Sequence, residues 1–341
     1  MKSQVSQFFR TNNPLREISK KSSSKRGQTS CHLVDAMNDF EETIIERMKS
    51  LIPRNEREVG SLEWIKSAME CLCAVHVDIQ NLIASLNLQI ITPDEKLIET
   101  YFDTSVKLLD LCIAFSSEIA RLNQGNFFVL CAVHELDRGV QNQMMRVRSS
   151  FASWDRNISS RNKRMENCSL ILNSIVGTMN IPKTKGSAKG KALMSGMYGM
   201  RVLSVFLCGV LGTIFTGSSA NMVEFRVPDS YKWGAVYADL QRSANGGLKK
   251  LMAEKEGALL IELNLVDDAM RKIGRDEKEW LNELRIGAEK LSDGLNALEN
   301  QCNCIFKVVL GARDGLLTIL RSSTILVDKI EIPNLTQQIV T

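Results

Sequence analysis

Nine cysteines and three histidines are the residues with the chemistry to make a site in this 341-residue chain. Cys71-x-Cys73 and Cys302-x-Cys304 are the most suggestive, because four thiolates could hold a zinc ion. Zinc sites, however, take Cys-x₂₋₄-Cys on turns that aim both sulfurs at one point. Two residues apart on a helix, the side chains diverge by about 200°. The spacing therefore argues against a metal. Cys131 and His134, three residues apart, could in principle form a nucleophile–base pair, yet nothing orients the histidine and no oxyanion donor is implied. His32 stands near the basic N-terminal stretch, while His76 and His134 fall in apolar helical stretches and read as partly buried core residues. Lys189-Gly190-Lys191 resembles a phosphate loop only superficially, since neither a Gly-x-x-x-x-Gly-Lys-Ser/Thr nor a Gly-x-Gly-x-x-Gly pattern occurs. No catalytic, metal or cofactor-binding residue is predicted, and no cofactor.

The elements that would carry any such residues are helices. The chain is 44% apolar and 24% charged, ordinary globular values, with only 6 prolines. Val34, Met37, Phe40, Ile44, Met48 and Leu51 recur every three or four residues and make one apolar stripe, which Pro53 ends. Leu62, Ile65, Met69, Leu72, Val75, Ile79 and Leu82 make the next. Thr92-Pro93-Asp94-Glu95 reads as a capped helix start, with a helix from there to about Leu122. Asn123-Gln124-Gly125 is expected to break it, and a new helix to run from Asn126 toward Val147. A weaker helix is expected over 155–180. Trp233 opens another, Asn245-Gly246-Gly247 reads as a turn, and helices over 248–273 and 276–321 follow.

Val202–Thr216 has no charged residue in 15 positions and holds Ser204, Cys208, Gly209, Gly212 and Thr213, small residues common in packed membrane helices. At ~1.5 Å per residue it covers roughly 22 Å, short of a ~30 Å hydrocarbon core. Extending it backward brings in Arg201, a costly charge. Its length favours the central helix of a bundle. A peripheral membrane contact and a true span with its N-terminal side in the cytosol are the alternatives.

The fold class expected is all-α, an elongated multi-helix bundle with one very apolar central helix. Residues 1–30 hold seven Lys/Arg against Glu17 alone, a net +6, and read as a disordered basic Ser-rich tail or a plastid transit peptide. Residues 31–180 form an N-terminal helical part and 181–192 a flexible basic linker. Residues 193–325 form a C-terminal helical part packed with the first as one domain, and 326–341 a frayed tail. The remainder of the chain is near neutral, which argues against a nucleic-acid binder. The run Arg146, Arg148, Arg156, Arg161, Lys163 and Arg164 could meet RNA or anionic lipid, but few aromatics lie between its charges and a solvated face is the favoured reading. The cysteines, mostly within apolar helical patterns, read as small buried hydrophobes of a reducing compartment. A polar start without a secretory pattern fits a cytoplasmic protein, with membrane association or a plastid location as alternatives.

Tyr101-Phe-Asp-Thr-Ser-Val-Lys-Leu-Leu-Asp-Leu-Cys112, followed by Arg121-Leu-Asn-Gln-Gly125, resembles the plant BYPASS-type proteins. So do Met197–Leu211 after a basic linker and the Trp233 region before a long helical C-terminus. The resemblance covers about residues 30–325. It implies a plant-specific helical protein, linked to root and shoot development through restraint of a root-derived mobile signal, with relatives linked to vesicle tethering. No catalytic residue is defined for that family. The expectation is a non-enzymatic interaction protein with partner proteins, vesicle-tethering components among them, and an anionic membrane surface as a further partner. A binder or enzyme for a small apolar metabolite, or a single-span scaffold, are the alternatives.

Overall fold

The computed structural model describes residues 29–86, 95–138, 143–179, 188–254, 257–272 and 277–331. Among these residues every regular element is helical: α1 (Thr29–Leu51), α2 (Leu62–Ser85), α3 (Glu95–Arg138), α4 (Gln143–Ser159), the single turn α5 (Lys163–Glu166), α6 (Cys168–Val176), α7 (Ala188–Thr216), α8 (Gly234–Glu254), α9 (Ile261–Arg271) and α10 (Glu277–Glu331). The protein is an all-α bundle. At ~1.5 Å per residue, the 55-residue α10 is roughly 80 Å long, which sets the long dimension.

Local chemistry accounts for most boundaries. Pro53 cannot donate the next helical hydrogen bond, and α1 stops at Leu51. The Ser61 side chain caps α2 by accepting from the Trp64 amide at 3.2 Å. A second cap comes from far away: Glu262, at the start of α9, accepts the Leu62 amide with both carboxylate oxygens at 3.1 Å. Gly217, at φ +66°, ends α7 in the left-handed region that L side chains rarely adopt.

Helix α7 is the axis. Every residue from Gly196 to Phe215 is buried, and each of its Val, Leu, Ile and Phe side chains contributes roughly 1.5–3 kcal/mol by leaving water. Helix α2 lies antiparallel to it, with Leu82 against Gly196 and His76 against Ser204. Helix α1 lies against the same end through Phe40 and Ile44. Helices α3 and α10 form a long antiparallel pair, in register from Phe102 beside Arg313 to Asn126, whose Nδ2 donates to the Ala288 carbonyl at 2.8 Å. Helix α10 runs parallel to α2, with Leu62 over Gly294, Cys73 over Cys304 and Gln80 over Val308. One continuous core includes residues of both halves of the chain, from Phe40 on α1 to Leu316 on α10.

Several expectations are corrected. The helix expected to end at Leu122 runs on to Arg138. Gly125 packs closely on Asn157 of α4, and Asn126 reaches α10, so tertiary contacts outweigh the weak helix propensity of Asn-Gln-Gly. The run toward Val147 is not one helix, because α4 folds back along α3. The helix expected over 155–180 is the end of α4, then α5 and α6, with Asn162 capping α5 through a bond from the Arg164 amide at 3.0 Å. Asn245-Gly246-Gly247 lies inside α8, not in a turn, and the helix expected over 248–273 is split between α8 and α9. Helix α7 begins at Ala188, so the last residues of the expected linker are helical, and α10 reaches Glu331, into the expected frayed tail. The basic tail over 1–28, the Thr92-Pro93 start, linker residues 181–187 and residues 332–341 lie outside the described residues.

The two adjacent glycines of α8 have opposite surroundings. A Cβ on Gly247 would overlap the Glu56 carbonyl and sit 2.9 Å from Val59 Cγ1, whereas one on Gly246 meets nothing within 4 Å. Alanine at an open helical position gains about 0.5–1 kcal/mol over glycine. Overpacking against backbone costs about 1–3 kcal/mol. Urea unfolding is expected to show Gly246→Ala more stable than wild type and Gly247→Ala less stable.

Candidate functional site

Some of the residues with chemical potential, His76, Ser204, Cys73, Cys304, Cys112 and Cys302, lie on the packed helices α2, α3, α7 and α10. On α7, Ser204 Oγ lies 3.2 Å from His76 Nε2, both wholly buried, and His76 Nδ1 has no partner. A Ser–His pair of this kind needs an acid to orient the ring and an opening for a substrate. Here the ring is packed in the core, and burial pushes its pKa down to about 4. It is a neutral, structural histidine, as expected. His134 differs from expectation: it is exposed on α3, one turn from the half-buried Cys131. His32 begins α1 outside the residues whose side chains are described.

Arg201 is buried inside α7. Its Nη2 donates to Thr178 Oγ1 at 2.8 Å, its Nε has no partner, and burial lowers its pKa. Nη1 also donates to the Thr178 carbonyl, at 3.5 Å, so one residue satisfies only part of the guanidinium. The helix therefore tolerates this charge at a cost, under cover of the turn that follows α6.

The two Cys-x-Cys motifs divide, each sending its sulfurs to different neighbours. Cys71 is buried beside Arg47 and Asp78, and desolvation pushes its thiol up to about 12. Cys73 Sγ instead lies 3.0 Å from Cys304 Sγ on α10. Cys302, two residues before Cys304 and turned away from it, faces α3, donating to the Cys112 carbonyl at 3.1 Å and accepting from Ser116 Oγ at 3.1 Å. The motifs thus meet through one cross-helix pair, Cys73–Cys304, not a four-thiolate cluster. Sequence reasoning foresaw the divergence on each helix. It missed the pairing, for which the equal spacing of the two motifs was the available signal.

A groove of about 320 Å³ between α1 and α2 is lined by Asp35, Asp39, Phe40, Thr43, Asp78 and Asn81 among others. Asp78 is held by Arg47 through bonds of 2.6 and 3.0 Å. The groove does not touch Val202–Thr216, where Gly209 is so closely packed that an added Cβ would lie 2.7 Å from the Asn221 carbonyl. Dense packing there weighs against a metabolite pocket beside the apolar helix. In its most apolar window α7 is long and apolar enough to cross a membrane, yet 94% of that window is buried by protein. Arg146, Arg148, Arg156, Arg161, Lys163 and Arg164 are all exposed, Arg146 pairing with Glu135 at 2.9 Å. Lys189-Gly190-Lys191 lies in the first turn of α7, not in a phosphate-binding loop.

Over 321 residues the chain is 36% identical to Protein BPS1, chloroplastic, of Arabidopsis thaliana, covering 92% of this chain and 91% of that protein. The chain belongs to the plant BYPASS-type family. A family model described as Protein ROH1-like matches residues 2–153. The chain is also 32% identical to UPF0496 protein 4 of Oryza sativa subsp. japonica, over 78% of this chain and 58% of that protein. It is 22% identical to Protein ROH1D of Arabidopsis thaliana, over 82% and 87%. None of these names denotes an enzyme. No solved structure matches the chain.

A histidine buried neutral binds fewer protons folded than unfolded. Its contribution is present above the unfolded pKa near 6.5 and is lost as pH falls through the folded value of about 4. The full loss is about 3 kcal/mol for a shift of this size. Chemical denaturation of wild type and His76→Phe between pH 7 and 4 is expected to show stability falling more steeply in wild type.

Proposed function

We propose that this chain is a non-enzymatic regulatory protein of root and shoot development that binds partner proteins, with vesicle-tethering components of membrane traffic as the partners favoured. The identity to BPS1 along nearly its whole length supports a role in the same biology. The observation that carries the binding mode is an apolar strip on the outer side of the α3–α10 pair. Val106, Ile113 and Leu310 are 40%, 39% and 39% exposed, with Phe102, Leu109 and Phe306 half-buried between them. Val106 and Ile113 are seven residues apart and share a face of α3. The register of Phe102 with Arg313 brings Leu310 level with Val106. Such a strip is suited to a partner helix laid across it.

In this reading the exposed arginines of α4 and α5 would meet an anionic membrane surface without insertion of α7; their exposure supports it. The working location is therefore the cytoplasm, at the membrane periphery. A plastid location is the second reading, favoured by the word "chloroplastic" in the name of BPS1.

The test is complementation of a plant line lacking this protein, using fluorescent fusions. Wild type is expected to restore root and shoot growth, with signal outside plastids. The triple variant V106E/I113E/L310E is expected to accumulate and fold equally by circular dichroism but to restore less than a tenth of the growth difference. Equal rescue by the triple variant would sink the proposed surface. Purified protein turning over a small metabolite would sink the non-enzymatic reading.

A further inference from the structure

We propose that Cys73 and Cys304 form a reversible oxidation site, closed to a disulfide by a low-molecular-weight disulfide and reopened by the corresponding thiol. The two sulfurs face each other at 3.0 Å, about 1 Å beyond a disulfide bond of roughly 2.05 Å. Their helices are already fixed side by side. Leu62 packs on Gly294 on one side of the pair, and Gln80 Nε2 donates to the Val308 carbonyl at 3.3 Å on the other. Closing the bond therefore needs side-chain adjustment and no new docking of helices.

Access separates this pair from five of the other described thiols. Cys73 and Cys304 are both partly exposed, whereas Cys71, Cys112, Cys168, Cys208 and Cys302 are buried. Cys131 is partly exposed too, on α3. Reactivity also differs within the pair. The Cys304 thiol is held down at about 7 by its hydrogen bond with Cys73 and, less strongly, by the charge of Lys307. Cys73 is pushed up by the same contact and by burial. Cys304 is thus the attacking thiolate at neutral pH, and Cys73 the resolving thiol.

The chemistry balances as thiol–disulfide exchange. The Cys304 thiolate attacks one sulfur of glutathione disulfide, the S–S bond of that reagent breaks, and one glutathione thiolate leaves. Cys73 then loses its proton and attacks the Cys304 sulfur of the mixed disulfide. The Cys73–Cys304 bond forms and the second glutathione leaves. The two protein thiols give up two electrons, and one glutathione disulfide becomes two glutathione thiols. Closure links α2 to α10 across some 230 residues of chain, which restricts the unfolded state.

The experiment uses the full chain with Cys31→Ser and Cys131→Ser, reduced and then equilibrated in glutathione buffers of graded composition. Free thiols are trapped in acid and peptides identified by mass spectrometry. The expected result is a Cys73–Cys304 cross-linked peptide whose yield rises with the ratio of glutathione disulfide to squared glutathione. Glutathione adducts on either residue should stay below a tenth of the linked form. Cys73→Ser is expected to strand glutathione on Cys304, and the oxidised parent should melt at a higher temperature than the reduced one. Should Cys73→Ser fail to fold, the parent titration alone decides. Stable glutathione adducts without the cross-link, or no reaction at buffer compositions that modify Cys131 in wild type, would overturn the proposal.

Discussion

The structure depends on burying one helix on all sides. From Gly196 to Phe215 helix α7 offers no polar face to water. An amphipathic helix needs one neighbour, but a helix apolar all round needs a sheath. That requirement fixes the arrangement of the rest. Helices α1 and α2 cover one end, α6 and α8 pack elsewhere along it, and the long α3–α10 pair closes the assembly. Small residues make the sheath tight. Gly196, Gly199 and Gly209 let Leu82, Trp233 and the Asn221 carbonyl approach the helix backbone. The stretch that composition alone would assign to lipid is, in the folded chain, fully engaged by protein.

Helix class and most starts were legible from the sequence, because apolar spacing and caps act locally. Pro53 and Trp233 mark boundaries close to where they fall. The errors concentrate at glycines and asparagines. Asn123-Gln124-Gly125 and Asn245-Gly246-Gly247 read as breaks on propensity, which amounts to about 1 kcal/mol per glycine. In the bundle those glycines meet distant parts of the chain: Gly125 the Asn157 side chain of α4, Gly247 the Glu56 carbonyl in the turn before α2. The glycine is chosen for distant contacts that no local window contains. The same blindness hid the cap that Glu262 gives α2, two hundred residues away.

For chemistry, the sequence spoke more clearly about what single helices forbid than about what pairs of helices permit. Diverging side chains rule each Cys-x-Cys out as a chelate on its own helix. The parallel packing of α2 on α10 then brings Cys73 to Cys304, while Cys302 turns to α3. Arg201 follows a similar logic. It reads as an obstacle to membrane insertion, and its burial beside Thr178 makes it a charged guest of a protein core. Both outcomes follow from the sheath around α7, which leaves surface chemistry to the outer helices.

Helix α7 is the core of the folded bundle. Amide hydrogen exchange of the purified full chain, without detergent or lipid, tests it most directly. The account predicts that amides of 202–216 exchange in the slowest class, only through global unfolding, and that added anionic vesicles leave them unchanged. Rapid exchange of this segment in water, with protection appearing only when vesicles are added, would contradict it.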